Sequence, residues 1–342
     1  MEYKKKVIHL MHADTTGGIE IGAKLAQSEL TNSLDYEIRY IYDIKDNIIN
    51  RLKKSVKVTK EIFKEIKGKE NQVILSSLWM SHIISFILRI LVKNITWISF
   101  IHSPNYTNII NRLICTKLTR LADKQVFDSY ATAKAYSSKA VNRDRIINYV
   151  FQKYNVKKFD IENWSNRNYD FITVARNTKQ KGFLEIEKFC KNMSNLYPSK
   201  PKFMIITDNL KKAVDFKELK RKLNSICDIE LKTNITNTEV LKYLAESKIY
   251  VCLSHYEGFA MSVVESLLSG CFIVTTNVGE QQYYLHPNRR LVLNNNSSYN
   301  LDFNYINQNG PSKENFIKAK EFLHKNVKSY SDSLKRIVMK NK

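Results

Sequence analysis

Two carboxylates eight positions apart, beside a glycine, are the residues of this sequence best suited to chemistry. Glu257 directly precedes Gly258, and Glu265 follows in an apolar stretch that predicts a helix from about Phe259. The first amides of such a helix have no partner within it and attract an anion. Carboxylates accept hydrogen bonds from hydroxyl groups. The pattern therefore suits a ligand that carries phosphate between hydroxyl-bearing groups, as a nucleotide sugar does.

The same spacing also has an ordinary structural explanation. A carboxylate at a helix N-terminus is stabilised by the helix dipole, which would account for Glu257. Glu265 would then be a solvated residue on the helix surface. Spacing alone does not separate the two explanations.

Glycine is scarce in this chain, with nine in 342 residues. Six of them fall where a predicted strand gives way to a loop or a helix: Gly17, Gly18, Gly182, Gly258, Gly270 and Gly279. Glycine at such places allows a positive φ or a close approach of backbone to ligand. A C-terminal helix cap explains Gly270. The other positions favour turns that face a ligand.

These turns lie within a regular alternation of short apolar strands and helices. The alternation runs through residues 1–150 and starts again after a polar stretch. It predicts parallel sheets covered by helices on both faces. The predicted fold class is α/β, with two Rossmann-like, doubly wound domains facing each other across a cleft. The predicted parts are a first domain (1–150), a linker (151–168), a second domain (169–310) and a C-terminal helix (311–342) that packs back toward the first domain.

Composition narrows the class of protein. The chain is 43% hydrophobic and 26% charged, and its five cysteines include no C-x-x-C pair, so no disulfide framework or zinc ribbon is indicated. The net charge of +22, spread over both halves, suits a phosphate-bearing substrate, an anionic membrane surface or nucleic acid. Nucleic acid is disfavoured because no zinc-finger spacing or basic arm occurs. The longest apolar run, 83–92, is too short to span a bilayer. We expect a cytoplasmic protein.

The segment from Glu257 to Glu265 resembles the E-x7-E signature of family-4 glycosyltransferases, retaining enzymes of the GT-B fold. Further segments resemble that family in the same order along the chain. They are a glycine loop (14–20), a histidine segment (101–103), a strand end with Arg, Lys and Gly (174–182), a nucleobase-side segment (229–235) and the strand after the signature helix (274–279).

The resemblance implies a role for particular residues. Arg176 and Lys181 would neutralise the diphosphate as it leaves. Glu257 would accept hydrogen bonds from the donor sugar and Glu265 from the ribose. His102 would lie on the acceptor side, with a satisfied loop histidine as the alternative. The implied catalytic residues are His102, Glu257, Arg176 and Lys181. The other implied donor contacts are Gly17, Gly18, Ile235, Gly258, Phe259, Ala260, Met261 and Glu265.

The implied function is retaining transfer of a hexosyl group from a UDP- or GDP-linked sugar to a glycan. The expected pathway is synthesis of a cell-surface polysaccharide such as lipopolysaccharide, O-antigen or capsule. No D-x-D sequence occurs, so we expect no metal and no cofactor. Ala175, Cys271 and Glu280 replace residues common in the family, but none of these changes removes a charged group. Two alternatives remain open: a polyanion-binding α/β protein without activity, and another GT-B enzyme such as a nucleotide-sugar epimerase.

A basic amphipathic stretch bears on where the enzyme works. Residues 51–70 hold eight Lys or Arg against three Glu, and apolar residues recur along one side: Leu52, Val56, Ile62, Phe63 and Ile66. Such a helix can lie on an anionic membrane surface, where a lipid-linked acceptor would be found. A helix packed on its own sheet with lysines in solvent has the same pattern. The segments 83–92 and 109–121 would add contacts near the membrane.

Overall fold

The computed structural model describes residues 4–15, 17–105, 109–136, 142–151, 163–194, 197, 199–293 and 302–339. The chain divides into two compact units. Unit 1 is Met1–Gln152 with Lys328–Lys342, and unit 2 is Lys153–Val327.

Unit 1 is a five-stranded parallel sheet with helices between its strands. The strands are β1 (Lys6–Met11), β2 (Asp35–Tyr40), β3 (Gln72–Ser77), β4 (Ile95–Ile101) and β5 (Lys124–Phe127). The helices are α1 (Gly18–Leu30), α2 (Ile48–Ile66), α3 (Trp79–Leu91), α4 (Ile109–Thr116) and α5 (Tyr130–Tyr136). The strand order is β2-β1-β3-β4-β5. All six residues of β3 are buried, as expected for a parallel strand covered on both faces.

Unit 2 is a six-stranded parallel sheet. Its strands are β6 (Tyr169–Val174), β7 (Lys202–Thr207), β8 (Asp228–Thr233), β9 (Ser247–Cys252), β10 (Phe272–Thr276) and β11 (Arg290–Leu293). Its helices are α6 (Ile186–Ser194), α7 (Phe216–Leu223), α8 (Asn237–Ala245), α9 (Met261–Leu268), α10 (Gln281–Tyr284), α11 (Phe303–Asn309) and α12 (Lys313–Asn326). The strand order is β11-β10-β9-β6-β7-β8.

Both sheets are doubly wound, which confirms the predicted α/β class, but their strand orders differ. Unit 2 has the dinucleotide-binding order, whereas unit 1 has the other common doubly wound order, with its second strand at the edge. In each order ligands bind beyond the carboxyl ends of the strands, where the strand order reverses. That point lies between β6 and β9 in unit 2 and between β1 and β3 in unit 1.

The C-terminal segment is not one helix, as expected from the sequence, but two. Val327 has an extended backbone with φ −127° and ends α12, and a final helix, α13 (Tyr330–Met339), follows. Because α13 lies in unit 1, only this second helix joins the first unit. There the Tyr330 N–H donates to the Val150 carbonyl at 2.8 Å.

Other element predictions need correction. Residues 146–149 form no strand, because only Ile146 makes a bridge to β5. The helix predicted over 109–121 stops at Thr116, and a short 3-10 helix, Leu118–Leu121, follows. In the predicted linker, residues 152–162 lie outside the described residues. Residues 163–168 are packed into unit 2, where Arg167 donates to two backbone carbonyls.

Among the described residues, no helix has both the length and the apolar character needed to cross a bilayer.

Candidate active site

Two loops meet at the carboxyl edge of the unit 2 sheet, where β6 and β9 lie side by side. Residues 175–182 follow β6, and residues 253–260 follow β9. The His255 N–H donates to the Gln180 carbonyl at 2.8 Å, and Gln180 Nε2 donates to the Tyr256 carbonyl at 3.0 Å. The loop that carries the basic residues is thereby joined to the loop that carries Glu257.

Gly182 makes this close approach possible. Its φ is +65°, and a Cβ atom at this position would lie 1.9 Å from the backbone oxygen of Leu253. A side chain would therefore push the two loops apart. The special backbone requirement predicted for Gly182 is therefore confirmed.

Lys181 and Glu257 form an ion pair at the junction of the two loops. Lys181 Nζ lies 2.6 Å from Glu257 Oε1, and the two side chains are only 18% and 8% exposed. The Ser254 hydroxyl donates to the same carboxylate oxygen at 2.6 Å. These two contacts satisfy a nearly buried charge, which would otherwise be costly. Ser254 was not among the predicted site residues, because a small polar residue at a strand end gives no distinctive sequence signal.

The backbone around Gly258 is supported by the loop after β10. Gly279 has φ +62°, and a Cβ atom there would lie 2.6 Å from the Gly258 oxygen. The Tyr284 hydroxyl donates to the Phe259 carbonyl at 2.7 Å. Gly258 and Phe259 are buried, so the predicted donor loop is a supported part of unit 2.

Helix α9 begins directly after this loop, and its N-terminus suits an anion. The preceding residue, Ala260, has φ +58° and ψ 72° and carries only a methyl group, so it cannot cap the helix with a side chain. Ala260 and Met261 are half-buried. The first amides of α9 therefore offer the uncapped donors that a phosphate group requires.

Glu265 lies on the buried side of α9. It is 6% exposed, so the explanation of Glu265 as a solvated surface residue is wrong. Asn237 Nδ2 donates to Glu265 Oε1 at 3.1 Å. Asn237 is the first residue of α8 and comes two positions after Ile235. The structure thus brings the predicted ribose carboxylate close to the segment predicted to face the nucleobase.

Arg176 is exposed two positions after the end of β6, while its neighbour Asn177 is fully buried. Asn177 Nδ2 donates to the carbonyls of Asn209 and Val214 at 2.9 and 2.7 Å. Its N–H donates to Asp208 at 2.7 Å. These bonds fix the backbone next to Arg176 and leave the guanidinium in solvent. Asn177 was also missed by the sequence analysis.

The predicted glycine loop of unit 1 leads into α1. Gly17 precedes the helix with an ordinary φ of −70°, and Gly18 is its first residue. A Cβ atom on Gly17 would lie 2.4 Å from the carboxylate of Glu20, which is buried. A side chain at Gly17 would therefore require the Glu20 carboxylate to move. Thr16, which precedes Gly17 in this loop, lies outside the described residues.

His102 directly follows β4, and both of its ring nitrogens have partners inside unit 1. Nε2 lies 2.8 Å from the Ser77 hydroxyl, and Nδ1 lies 2.8 Å from the Tyr149 hydroxyl. Burial, with the neighbouring His9 and His82, holds the pKa of His102 well below its ordinary value. The imidazole is therefore neutral at pH 7.

No group of three or more His, Cys, Asp or Glu residues that could hold a metal ion occurs in the part of the chain that the structure describes.

The region that contains these two loops matches a known protein family. Residues 156–321 match the model of the family "Glycosyl transferases group 1". The matched residues all lie in unit 2. No curated protein sequence matches the chain significantly.

Solved structures match this chain over nearly its whole length. The structure of HepE from Anabaena, in complex with UDP and glucose, has a TM-score of 0.75 at 13% identity and covers 97% of this chain and 98% of its own. Sucrose-phosphate synthase from Thermosynechococcus elongatus has a TM-score of 0.74 at 14% identity and covers 97% of both chains. The lipopolysaccharide outer core galactosyltransferase WaaB has a TM-score of 0.62 at 11% identity and covers 97% and 99%. At these identities the likeness establishes the fold, which is GT-B.

The match to the group 1 family over residues 156–321, together with the GT-B fold, supports a nucleotide-sugar-dependent glycosyltransferase.

Proposed function

We propose that the enzyme transfers a hexosyl group, with retention of anomeric configuration, from a UDP- or GDP-linked sugar to a glycan. The glycan belongs to a growing cell-surface polysaccharide of the lipopolysaccharide, O-antigen or capsule type.

The contact between Lys181 and Glu257 is the main support for the proposed position of the donor sugar and its diphosphate. The bond that breaks during transfer lies between the sugar and its diphosphate. The residues that bind those two groups must therefore lie within a few ångströms of each other. Lys181 Nζ and Glu257 Oε1 are 2.6 Å apart, and the uncapped amides of α9 follow the same loop. A bound donor would exchange this ion pair for contacts with phosphate and sugar hydroxyls.

The proposed step balances without a further reagent. The bond from the anomeric carbon to the diphosphate oxygen breaks, and the acceptor hydroxyl forms a bond to the same face of that carbon. The proton of the acceptor hydroxyl passes to the departing phosphate oxygen. Arg176 and Lys181 stabilise the charge that develops on the diphosphate. Glu257 holds the sugar hydroxyls and Glu265 the ribose hydroxyls.

The test begins with a thermal-shift screen of UDP- and GDP-sugars, followed by transfer assays with glycan acceptors. NMR should show that the product has the anomeric configuration of the donor, and EDTA should leave turnover unchanged. An inverted product would contradict retention, and activity lost to EDTA but restored by manganese would contradict metal independence. Salt-sensitive binding to nucleic acid, with no donor consumed, would favour the polyanion-binding alternative.

We also propose that the acceptor is lipid-linked and that unit 1 lies on the inner face of the cell membrane. Helix α2 supports this proposal because its apolar residues divide into two groups. Ile62 and Ile66, near its C-terminal end, are buried in the core of unit 1. Leu52 and Val56 are 57% and 55% exposed. Packing on the sheet explains the first group but not the second.

More exposed apolar residues lie on the same face of the sheet. Helices α2, α3 and α4 each connect strands in the same direction across the sheet, so right-handed crossovers place all three on one face. The most exposed apolar side chains on the N-terminal halves of α2 and α4 are Ile48, Ile49, Ile109 and Ile110, which are 61–77% exposed. Four lysines of α2, with Val56 and Glu61, line a shallow depression: Lys53, Lys57, Lys60 and Lys64. Apolar residues flanked by lysines suit an anionic lipid surface.

Sedimentation with vesicles tests the membrane proposal. Wild-type protein should pellet with vesicles that contain anionic lipid and stay in solution with neutral ones. Changing Lys53, Lys54, Lys57 and Lys60 to Glu, or Leu52 and Val56 to Ser, should abolish this binding. Ile317→Ser is a matched control, because Ile317 is an exposed isoleucine of unit 2. Indifference to lipid charge and to both sets of substitutions would leave a soluble acceptor as the better explanation.

A further inference from the structure

Five side chains of unit 1 form one continuous chain of hydrogen bonds that ends in two tyrosines. The Tyr36 hydroxyl lies 2.5 Å from His9 Nδ1, and His9 Nε2 lies 2.7 Å from the Ser77 hydroxyl. Ser77 in turn lies 2.8 Å from His102 Nε2, and His102 Nδ1 lies 2.8 Å from the Tyr149 hydroxyl. Ser77 is therefore shared by two imidazoles.

These hydrogen-bonded side chains lie at the place where a doubly wound sheet binds ligands. His9 is in β1 and Ser77 ends β3, and these two neighbouring strands form the point in unit 1 where the strand order reverses. His102 follows β4, the next strand in the sheet. His9 and Ser77 are 1% and 0% exposed, so bulk water does not compete for their hydrogen bonds.

The number of protons on His9, Ser77 and His102 restricts the directions that their hydrogen bonds can take. Burial lowers the pKa of His9 to about 3 and holds the pKa of His102 well below its ordinary value, so each ring carries a single N–H. Ser77 has one hydroxyl proton. Among the described residues, the two imidazole nitrogens are the partners of its hydroxyl oxygen. For that proton to form a hydrogen bond, Ser77 must donate it to a ring nitrogen that carries no proton. The Ser77 oxygen then accepts from the protonated nitrogen of the other ring.

We propose that Ser77 holds His9 and His102 in opposite tautomers, so that His9 and Ser77 are positioning residues for His102. One ring carries its proton on Nδ1 and the other on Nε2, and neither can change without the other. Fixing the tautomer of His102 also fixes whether it donates to Ser77 from Nε2 or to Tyr149 from Nδ1. The consequence for catalysis rests on the proposed function, in which His102 serves the acceptor side. The tautomer relation itself does not.

Nitrogen-15 NMR of histidine-labelled, full-length protein at pH 7 tests the tautomers directly. The signals are assigned with His9→Gln and His102→Gln. One of the two rings should show a protonated Nδ1 and the other a protonated Nε2. Two rings with the same tautomer, or one charged ring, would overturn the proposal.

Variants of Ser77 separate positioning from a merely structural role. Ser77→Ala should let His102 populate both tautomers, and Ser77→Thr, which keeps the hydroxyl, should restore the wild-type spectrum. Ser76→Ala is the matched control, because the Ser76 hydroxyl contacts His82 Nδ1 at 2.8 Å instead. It should shift the His82 signals and leave those of His102 unchanged. A change in His102 with Ser76→Ala, or none with Ser77→Ala, contradicts the proposal.

Kinetics then test whether the tautomer matters for transfer. Ser77→Ala should lower kcat roughly ten- to a hundredfold. Removing a group that orients a metal-ligating imidazole has an effect of this size, and we expect the same for an imidazole that orients the acceptor. The KM for the donor should stay within about twofold, and Ser77→Thr should restore kcat. Altered tautomers with an unchanged kcat would overturn the positioning role. If wild-type protein has no transferase activity, the proposed function fails, while the NMR result still decides the tautomer relation.

Discussion

At the scale of single residues, Arg176 and Lys181 share a predicted role but have different surroundings. Arg176 is exposed, whereas Lys181 is paired with the buried Glu257. Loss of Arg176 should therefore affect the leaving group alone. Loss of Lys181 should also leave a carboxylate without its cation, and an unpaired buried charge is destabilising.

Arg176→Ala and Lys181→Ala should each lower kcat/KM by roughly 10²- to 10³-fold, because each removes a positive charge that stabilises the leaving diphosphate. Steady-state kinetics measures the loss. Thermal unfolding should show an unchanged Tm for Arg176→Ala and a lower Tm for Lys181→Ala.

Lys179→Ala controls for charge alone. Lys179 is an exposed lysine of the same short helix, Lys179–Lys181, and should be replaceable without loss of activity. If Arg176→Ala retains near-normal kcat/KM, the diphosphate has been placed wrongly.

At the scale of elements, the join between the β6 and β9 loops depends on Gly182, and a second glycine provides a comparison. Gly182 and Gly68 have similar φ values of +65° and +77°. A Cβ atom on Gly182 would lie 1.9 Å from a backbone oxygen, whereas one on Gly68 would have no neighbour within 4 Å. The two positions therefore share backbone strain but differ in available space.

Gly68→Ala should destabilise the protein by about 1–2 kcal/mol, the usual cost of a left-handed conformation with a side chain. Gly182→Ala should cost about 1–3 kcal/mol more, because overpacking adds to the strain. It should also abolish transfer, because the loops that carry Lys181 and Glu257 would separate. Chemical denaturation and a donor-binding assay measure the two effects. Equal stabilities for the two variants would show that the contact with Leu253 is relaxed easily.

At the scale of the whole molecule, the buried histidines predict that unit 1 is the more acid-sensitive unit. Burial lowers the pKa of His9 and His82 to about 3, and burial together with Arg51 lowers that of His12 to about 4. In unit 2, burial also lowers the pKa of His286 and His324, but these side chains are half-buried and exposed.

The sign of the effect follows from proton binding. Below pH 6.5 the unfolded chain protonates these histidines while the folded unit does not, so stability falls as the pH drops toward 4. Each fully buried histidine should cost about 2 kcal/mol between pH 7 and pH 5. Hydrogen exchange, corrected for intrinsic rates, should show greater loss of protection in unit 1 than in unit 2. The variant His82→Gln should reduce the pH dependence, and an unchanged slope would contradict this account.

The order of the elements and the positions of the site residues along them could be predicted from the sequence. Strand and helix periodicity depends on neighbouring residues, and a glycine such as Gly182 marks a local backbone requirement. The α/β class, the end of β6 before Arg176 and the turn at Gly258 therefore followed from local patterns. The split of the C-terminal helix at Val327 did not, because nothing in the apolar periodicity marks an extended residue between two helical segments.

Only the tertiary structure decided which of these residues touch. Lys181 and Glu257 are 76 positions apart, and His9 and Ser77 are 68 apart. Their contacts depend on which strands are neighbours and in what register, and that is set by crossovers and packing over the whole unit. The same cause divided the apolar side of α2 into buried and exposed groups. Sequence thus determined which groups stand at the carboxyl ends of the strands, and folding decided which of them pair, because pairing depends on distances that local periodicity does not contain.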